Sequence, residues 1–398
     1  MHTGTALTLN LTAEIPFFPY PQVYLREQDE LDTIFRDVGR RGAFILQQDL
    51  ARFEQNLARF TGARHAIGVA NATDGLIIAL RASALRASAL RASVFAEPSK
   101  RADAPAEVIF SSHTMVATGA AIHFAGGVPV PVECGGDHLI CPDAVEAAVT
   151  PRTVAILPTQ LNGRTADMAA LGKIAARHHL AIVEDAAQAL GSRFRGQCAG
   201  TFGAAGVISF FPAKLLGCLG DGGAVLTNDN TVAARAIALH DHGRNQAGEI
   251  TGWGLNSRLD NLQAAILDFR LTRYEQAIQK RRARARAYRE QLRDVTEIVL
   301  PPGPDGEPDH FDVYQNYEIE AEQRDTLRAF MANRGIGTLL PWGGKAVHQF
   351  SALGLGAHLP RTGQVMERAL LLPMHPWLEE QEVERITSAI RSFYGCRA

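Results

Sequence analysis

The sequence predicts an α/β fold: a large domain with a mostly parallel sheet flanked by helices, then a smaller C-terminal α+β domain. Three observations carry this. Short apolar runs alternate with stretches of helical spacing, the pattern of a parallel sheet with helices on both faces. One such run, Ala181-Ile182-Val183, stops at two acids, Glu184 and Asp185. An acid at the C-terminal end of a buried strand faces the crevice where open α/β sheets bind ligands. Finally, Pro301-Pro302-Gly303-Pro304-Asp305-Gly306 breaks the chain before a last strand and two last helices.

The elements follow in order. Residues 1–14 read as a loose tail. Glu27 to Val38 and Gln48 to Phe60 have helical spacing, with Leu50, Phe53, Leu57 and Phe60 on one face. Ala66 to Ala70 is a short buried strand. It runs through Asn71-Ala72-Thr73-Asp74-Gly75 into a helix beginning near Leu76. A strand, a small polar turn and a helix start present unpaired N–H groups to an anion; a plain Asn/Thr helix cap explains the same residues. The five-residue repeat LRASALRASALRAS, Leu80 to Ser93, is Ala-rich and should extend that helix. It and the polar segment to Pro105 look like a local insertion without chemistry. Strands are expected at 107–110, 128–132, 154–158, 181–183, 207–211 and 224–227, with helices at 116–124, 143–149 and 168–179. One long helix is expected from Asp260 to about Arg293. Its basic end, Lys280 to Arg289, reads as a solvated face. A strand at Tyr314 to Ile319 and helices at Arg324 to Arg334 and Glu380 to Phe393 complete the chain. The expected domains are 15–265, with 80–105 as an insertion, and 266–398.

Composition narrows the function classes. The chain has 398 residues, 46% of them apolar, and a formal charge of −2. That balance argues against a nucleic acid or membrane surface held by bulk charge. The five cysteines include no CxxC pair and read as free thiols in a reducing compartment. No apolar run is long enough for a membrane span, so a cytoplasmic protein is expected. HExxH, P-loop and GxGxxG patterns are absent. His178-His179 diverge around a helix and make poor joint ligands, so no metal is expected.

What remains is an acid, a lysine, a serine and a phosphate-ready helix start. Pyridoxal 5'-phosphate needs this set. Its aldehyde binds a lysine amine. Its ring nitrogen is kept protonated by a buried carboxylate. Its phosphate takes N–H groups and hydroxyls. Lys214, Asp185 and Ser209 stand at suitable places in AIVEDAAQALG and VISFFPAKLLGCLGDGGAV.

Those segments, with FEQNLARFTGARHAIGVANATDGLIIAL, EVIFSSHTMVATGAAIHFAGGVPVPV and GLNSRLDNLQAAIL, resemble the DegT/DnrJ/EryC1/StrS family of sugar aminotransferases, which have the aspartate-aminotransferase fold (fold type I). The resemblance runs from about Ile15 to the C-terminus. It implies Lys214 as Schiff-base lysine and general acid/base, Asp185 on the ring nitrogen and Gln188 on the ring hydroxyl. It implies Ser209 and the backbone N–H groups of Ala72 and Thr73 on the phosphate. Asn256 of the Asn-Ser-Arg motif would reach the phosphate of the partner subunit, with Arg258 nearby, which implies a homodimer with composite sites. The family has glycine where Ala72 stands and an aromatic where Met115 stands; Met115, or His113, would cover the ring. PTQLNG, Pro158 to Gly163, replaces the family's PVHLYG near the cofactor. WGGKAVHQF, Trp342 to Phe350, offers Lys345 and His348 to the substrate. The implied reaction moves an amino group from an amino acid, L-glutamate, to a keto sugar carried on a nucleotide. An aminocyclitol ketone as acceptor, or a non-catalytic cofactor-binding regulator, are the alternatives. Lys214 argues against the sugar dehydratases, which have histidine there.

Overall fold

A computed structural model describes residues 14–83 and 105–396. The N-terminal tail to residue 13, the repeat from Ala84 onward and nearly all of the following polar segment lie outside the described residues.

Thirteen strands among the described residues follow in chain order. They are β1 (His65–Val69), β2 (Glu107–Ser111), β3 (Val128–Val132), β4 (Thr153–Leu157), β5 (Ala181–Asp185), β6 (Arg193–Phe194), β7 (Gln197–Cys198), β8 (Ala205–Ser209), β9 (Gly223–Thr227), β10 (Ile298–Val299), β11 (His310–Phe311), β12 (Tyr317–Ala321) and β13 (Ala369–Leu372). Seven form the central sheet in the order β1-β9-β8-β5-β4-β2-β3. Pairing is parallel from β8 through β3; β9 alone is reversed, antiparallel to both β1 and β8. The C-terminal ends of β1, β8, β5, β4 and β2 therefore lie along one edge.

Several strands are buried along their whole length, such as β8 and β9, because helices cover both faces. The helix Ala72–Ser83 is the most enclosed; Leu76, Ile78, Ala79 and Leu80 are at most 1% exposed. Gly75 permits this closeness, since a Cβ there would lie 2.8 Å from Val207 Cγ1. This helix begins at Ala72, four residues earlier than the sequence suggests. Asn71 Oδ1 accepts the Asp74 N–H at 2.9 Å and caps the first turn.

A second sheet, β10-β12-β13, is antiparallel. The helices Tyr274–Leu292, Arg324–Ala332 and Glu380–Phe393 pack on it through Tyr288, Tyr317, Ile319, Leu327, Leu370 and Ile386. β12 starts at Tyr317 and not at Tyr314, because Tyr314 has φ of 51° and leaves the extended region.

Two expectations about residues 260–293 are corrected. The segment is two helices, Asn261–Leu271 and Tyr274–Leu292. Arg273, at φ −109° and ψ 1°, turns the chain between them. The first helix packs on Gln48–Thr61 and the second on the C-terminal helix, and one straight rod would not serve both. The basic end is not simply a solvated face either. Arg281 is 2% exposed, and its Nη1 donates to the carbonyls of Tyr314, Gln315 and Met374 at 2.9, 3.2 and 2.8 Å. Arg282 donates to Asp312 O and Pro304 O at 2.8 and 2.7 Å. These guanidinium groups satisfy buried carbonyls that neither helix nor sheet reaches.

Arg281→Ala is expected to lower the unfolding free energy by about 3 kcal/mol or more, because buried acceptors lose their donor. Arg286→Ala, at an exposed pair with Asp305, should cost about 0.5 kcal/mol or less. Urea or guanidinium denaturation of the two variants checks the contrast; equal costs would contradict it.

Candidate active site

The site lies along the edge where the parallel strands end. Strand alternation sends Glu184 and Asp185 to opposite faces of β5. Glu184 is fully buried. Its carboxylate accepts from Gln160 Nε2 and Gly200 N at 2.8 Å, from Phe202 N at 2.7 Å and from Gly203 N at 3.2 Å. Asp185 Oδ2 accepts from Thr118 Oγ1 at 2.7 Å, and Oδ1 from Ala187 N at 3.2 Å. Thr118 continues a hydroxyl chain through Thr114 at 2.8 Å to Thr159 at 2.9 Å.

Lys214 sits in the loop after β8, in a turn closed by its N–H to Phe211 O at 2.8 Å. Burial pulls its amine down to about 8, opposed by the charge of Asp185. Burial likewise raises the Asp185 carboxyl above its ordinary value, opposed by the Thr118 and Ala187 hydrogen bonds and by Lys214. Asp185 is buried and Lys214 half-buried, and the charge of each favours the charged form of the other. Among the described residues neither makes an ion pair.

Ser209 ends β8, and its hydroxyl accepts from Phe211 N at 3.3 Å. Ala72 and Thr73 form the first turn of their helix, where N–H groups have no partner within the helix. The turn before them is held from the Asn-Ser-Arg motif, because Ser257 Oγ accepts the Ala70 N–H at 3.2 Å. Asn256 is exposed. Arg258 is drawn to Asp241, Nη1 to Oδ1 at 3.0 Å. Gln188 is buried, and its Oε1 accepts the Asn162 N–H at 2.9 Å.

The structure separates the two candidates for covering a ring. Met115 is 51% exposed at the start of the helix Val116–Ala125. His113 is fully buried and turned to Glu318 at 2.8 Å, so it is committed elsewhere. The segment Trp342 to Phe350 docks on the loop that precedes Met115. His348 Nδ1 lies 2.7 Å from Ser112 Oγ, and burial lowers the His348 pKa. Lys345 is exposed on the same segment.

Four residues of this neighbourhood carry no local sequence signal. Thr118 stands four residues from Thr114, which places both on one helical face but does not reveal Asp185 as partner. Asn162, His138 and Glu318 come from three distant segments. Glu318 sits in the alternating YEIEA of β12, which reads as an ordinary strand, yet it is 3% exposed.

The chain is similar over most of its length to known proteins. The model of the DegT/DnrJ/EryC1/StrS aminotransferase family matches residues 26–391. The chain is 37% identical to the dTDP-3-amino-3,4,6-trideoxy-alpha-D-glucose transaminase of Streptomyces venezuelae, over 96% of this chain and 97% of that one. It is 35% identical to a protein of Geobacillus stearothermophilus named pleiotropic regulatory protein, over 96% and 98%. Among solved structures, S. venezuelae DesV in complex with a ketimine intermediate superposes with a TM-score of 0.88. It shares 37% identity, with 97% of this chain and 100% of that one covered. Bacillus subtilis NtdA with bound cofactor PMP gives a TM-score of 0.84 at 26% identity, over 96% and 86%. By sequence over nearly its whole length and by fold, this chain belongs to the DegT/DnrJ/EryC1/StrS aminotransferase family.

Proposed function

We propose that this protein is a pyridoxal 5'-phosphate-dependent aminotransferase that moves an amino group from L-glutamate to a nucleotide-linked keto sugar in amino-sugar biosynthesis. One observation carries the reading. The buried carboxylate of Asp185 ends β5, the half-buried Lys214 follows the neighbouring parallel strand β8, and among the described residues neither makes an ion pair. The donor set fits the cofactor. A carboxyl destabilised by burial is charged again when a cationic ring nitrogen meets it. An amine near 8 is partly unprotonated at neutral pH and can attack a carbonyl carbon. First-turn N–H groups at Ala72 and Thr73 with the Ser209 hydroxyl suit a phosphate dianion.

Bound there, the cofactor supplies an electron sink for the substrate's Cα–H bond. Everything else falls to the chain. Lys214 would hold the aldehyde carbon, and its freed amine would carry the donor's Cα proton to that carbon. In the second half-reaction it would carry a proton back from that carbon to the acceptor carbon that receives the amino group. Asp185, oriented by Thr118 and the Ala187 N–H, holds the ring nitrogen's proton. Gln188 meets the ring hydroxyl and Met115 covers the ring. Lys345 and His348 approach the sugar from the docked segment. Asn256, exposed beside the Ser257 contact, serves the phosphate of a second copy of the chain, so the working unit is a homodimer. Arg258 braces that motif through Asp241. No described helix is long and apolar enough to cross a membrane, in keeping with a cytoplasmic enzyme.

The nucleotide-sugar acceptor rests on the relatives. Besides the S. venezuelae enzyme, a 32% identical Pseudomonas aeruginosa protein is named UDP-2-acetamido-2-deoxy-3-oxo-D-glucuronate aminotransferase. A regulatory role has its own support in the relative named pleiotropic regulatory protein. Turnover separates the two readings.

Three outcomes are expected. With pyridoxal phosphate the protein should show a visible absorbance band, bleached by glutamate and restored by a nucleotide-linked keto sugar, and Lys214→Ala should abolish both. Recovery with a cyclitol ketone alone would point to the other acceptor class, and no bleaching at all to the regulator. In cofactor-stripped protein, acylation of Lys214 followed by mass spectrometry should have its midpoint near pH 8. It should be slow below that pH, where the ammonium form dominates; a midpoint near the ordinary lysine value of about 10.4 would contradict it. Thr118→Val removes a hydrogen bond to a charged group, worth about 1.5–3 kcal/mol. It should weaken cofactor retention by roughly tenfold or more in equilibrium dialysis, with little loss of fold.

A further inference from the structure

The turn after β4 holds an unusual residue. Asn162 is left-handed, with φ 55° and ψ 16°, immediately before Gly163 at φ 88°. Asn is among the few side chains that tolerate this region. Gly163 is pinned against the chain leading into β12, where a Cβ would lie 2.5 Å from Tyr314 N. The Asn162 side chain is tied at both ends. Nδ2 donates to Glu318 Oε2 at 3.0 Å, and Oδ1 accepts from Asn316 Nδ2 at 2.8 Å. Its main-chain N–H donates to Gln188 Oε1. A backbone N–H can only donate, so the Gln188 oxygen must face Asn162 and its Nε2 donors face away.

Glu318 is itself clamped. Its Oε1 accepts from His113 Nε2 at 2.8 Å and from His138 Nδ1 at 2.7 Å. His138 Nε2 meets Glu320 Oε1 at 3.1 Å. With a carboxylate at each ring nitrogen, His138 carries both protons; burial would lower its pKa, but Glu318 and Glu320 raise it to about 10. Burial would raise the Glu318 carboxyl, yet the two histidines hold it well below the ordinary carboxylate range. The ligand-type atoms of His113, His138 and Glu318 lie within 4.8 Å of one another, as in a cation site. The Trp342 indole N–H, however, points at His113 Nδ1 at 3.4 Å. An indole only donates, so the His113 proton sits on Nε2 and faces Glu318. Protons fill the lines between these groups.

We infer that Glu318, held between His113 and His138, is a positioning residue that acts through Asn162 to aim the Gln188 amide at the ring hydroxyl oxygen of the cofactor. This rests on the pyridoxal phosphate reading above. The chain of contacts runs from the second sheet to the end of β5, so part of the tuning of the cofactor is done from the other sheet. A donor on the ring oxygen favours its anionic form. That weakens the internal hydrogen bond holding a proton on the lysine-linked nitrogen and lowers the pH at which this proton leaves. Asp185 and Lys214 are the charged groups of the site. Around Glu318 stand His113, His138 and Glu320, the last backed by Arg368 at 3.4 Å.

The test is the pH midpoint of the visible band of the bound cofactor. Glu318→Gln sets an amide donor against Asn162 Nδ2 and releases the turn. Its midpoint should rise by about one unit, tenfold in the proton equilibrium. Gln188→Ala should raise it equally, and the double variant should match Gln188→Ala alone, since both act through one amide. Asn162→Gly keeps the left-handed turn without the tie and should shift the midpoint the same way, which guards against a folding defect in Glu318→Gln. An unchanged midpoint in both Glu318→Gln and Asn162→Gly with normal cofactor uptake overturns the inference, as does full additivity in the double variant. A stoichiometric metal ion in the purified protein that is lost in His138→Ala overturns it too. If the unaltered protein shows no band, the cofactor reading itself fails, and this inference with it.

Discussion

The buried carboxylate of Glu184 is the interaction on which the rest of the site depends. Four donors converge on it, three of them backbone N–H groups of residues 200–203 and one the Gln160 side chain. A charge so far from water is tolerated only when its lone pairs are filled. Gln160 is fixed in turn by the Ala166 N–H on its Oε1 at 2.7 Å. With Glu184 anchored on one face of β5, the pleat delivers Asp185 to the other. Two adjacent acids thus differ in their partners: Glu184 gathers the loop of residues 200–203, and Asp185 takes Thr118 and the Ala187 N–H.

The segment Pro158 to Gly163 gains a different meaning from this network. Its departures from the family pattern suggest a role in choosing substrate. In the structure its polar side chains are engaged within the protein. Thr159 ends the hydroxyl chain that leads to Asp185, Gln160 braces Glu184, and Asn162 ties Gln188 to Glu318. The segment behaves as a junction between β4, β5 and the second sheet, which makes its residues interdependent. Met115 and Lys345 are exposed and His348 is half-buried, so these side chains are not enclosed in the same way.

The central sheet was readable because most residues of its strands are buried and several strands appear as short apolar runs, and its helices because their faces repeat. Reading failed where a residue's environment comes from afar. The basic stretch of 280–289 reads as solvated because charge predicts water; nothing local announces the carbonyls of residues 314, 315 and 374 that take Arg281. The break at Arg273 was equally hidden, since helical periodicity continues across it. Of the proposed site, Asp185, Lys214 and Ser209 could be singled out from their places at strand ends and in a glycine-rich loop. Thr118 and Glu318 were not, because hydroxyls and strand glutamates are common and gain meaning only from their partners.

What the sequence determined alone is the strand-and-helix alternation, the acid at the end of β5, the lysine after β8 and the family to which they point. These are properties of neighbouring residues, set by periodicity and by the chemistry of short motifs. Only the tertiary structure decided that Glu184 is enclosed by the loop of residues 200–203, that His113 is committed to Glu318 and that Gln188 Oε1 accepts from the Asn162 N–H. Each of those depends on hydrogen bonds between segments far apart in the chain. For a buried polar group, the partner it finds outweighs its own identity in deciding its protonation and its role.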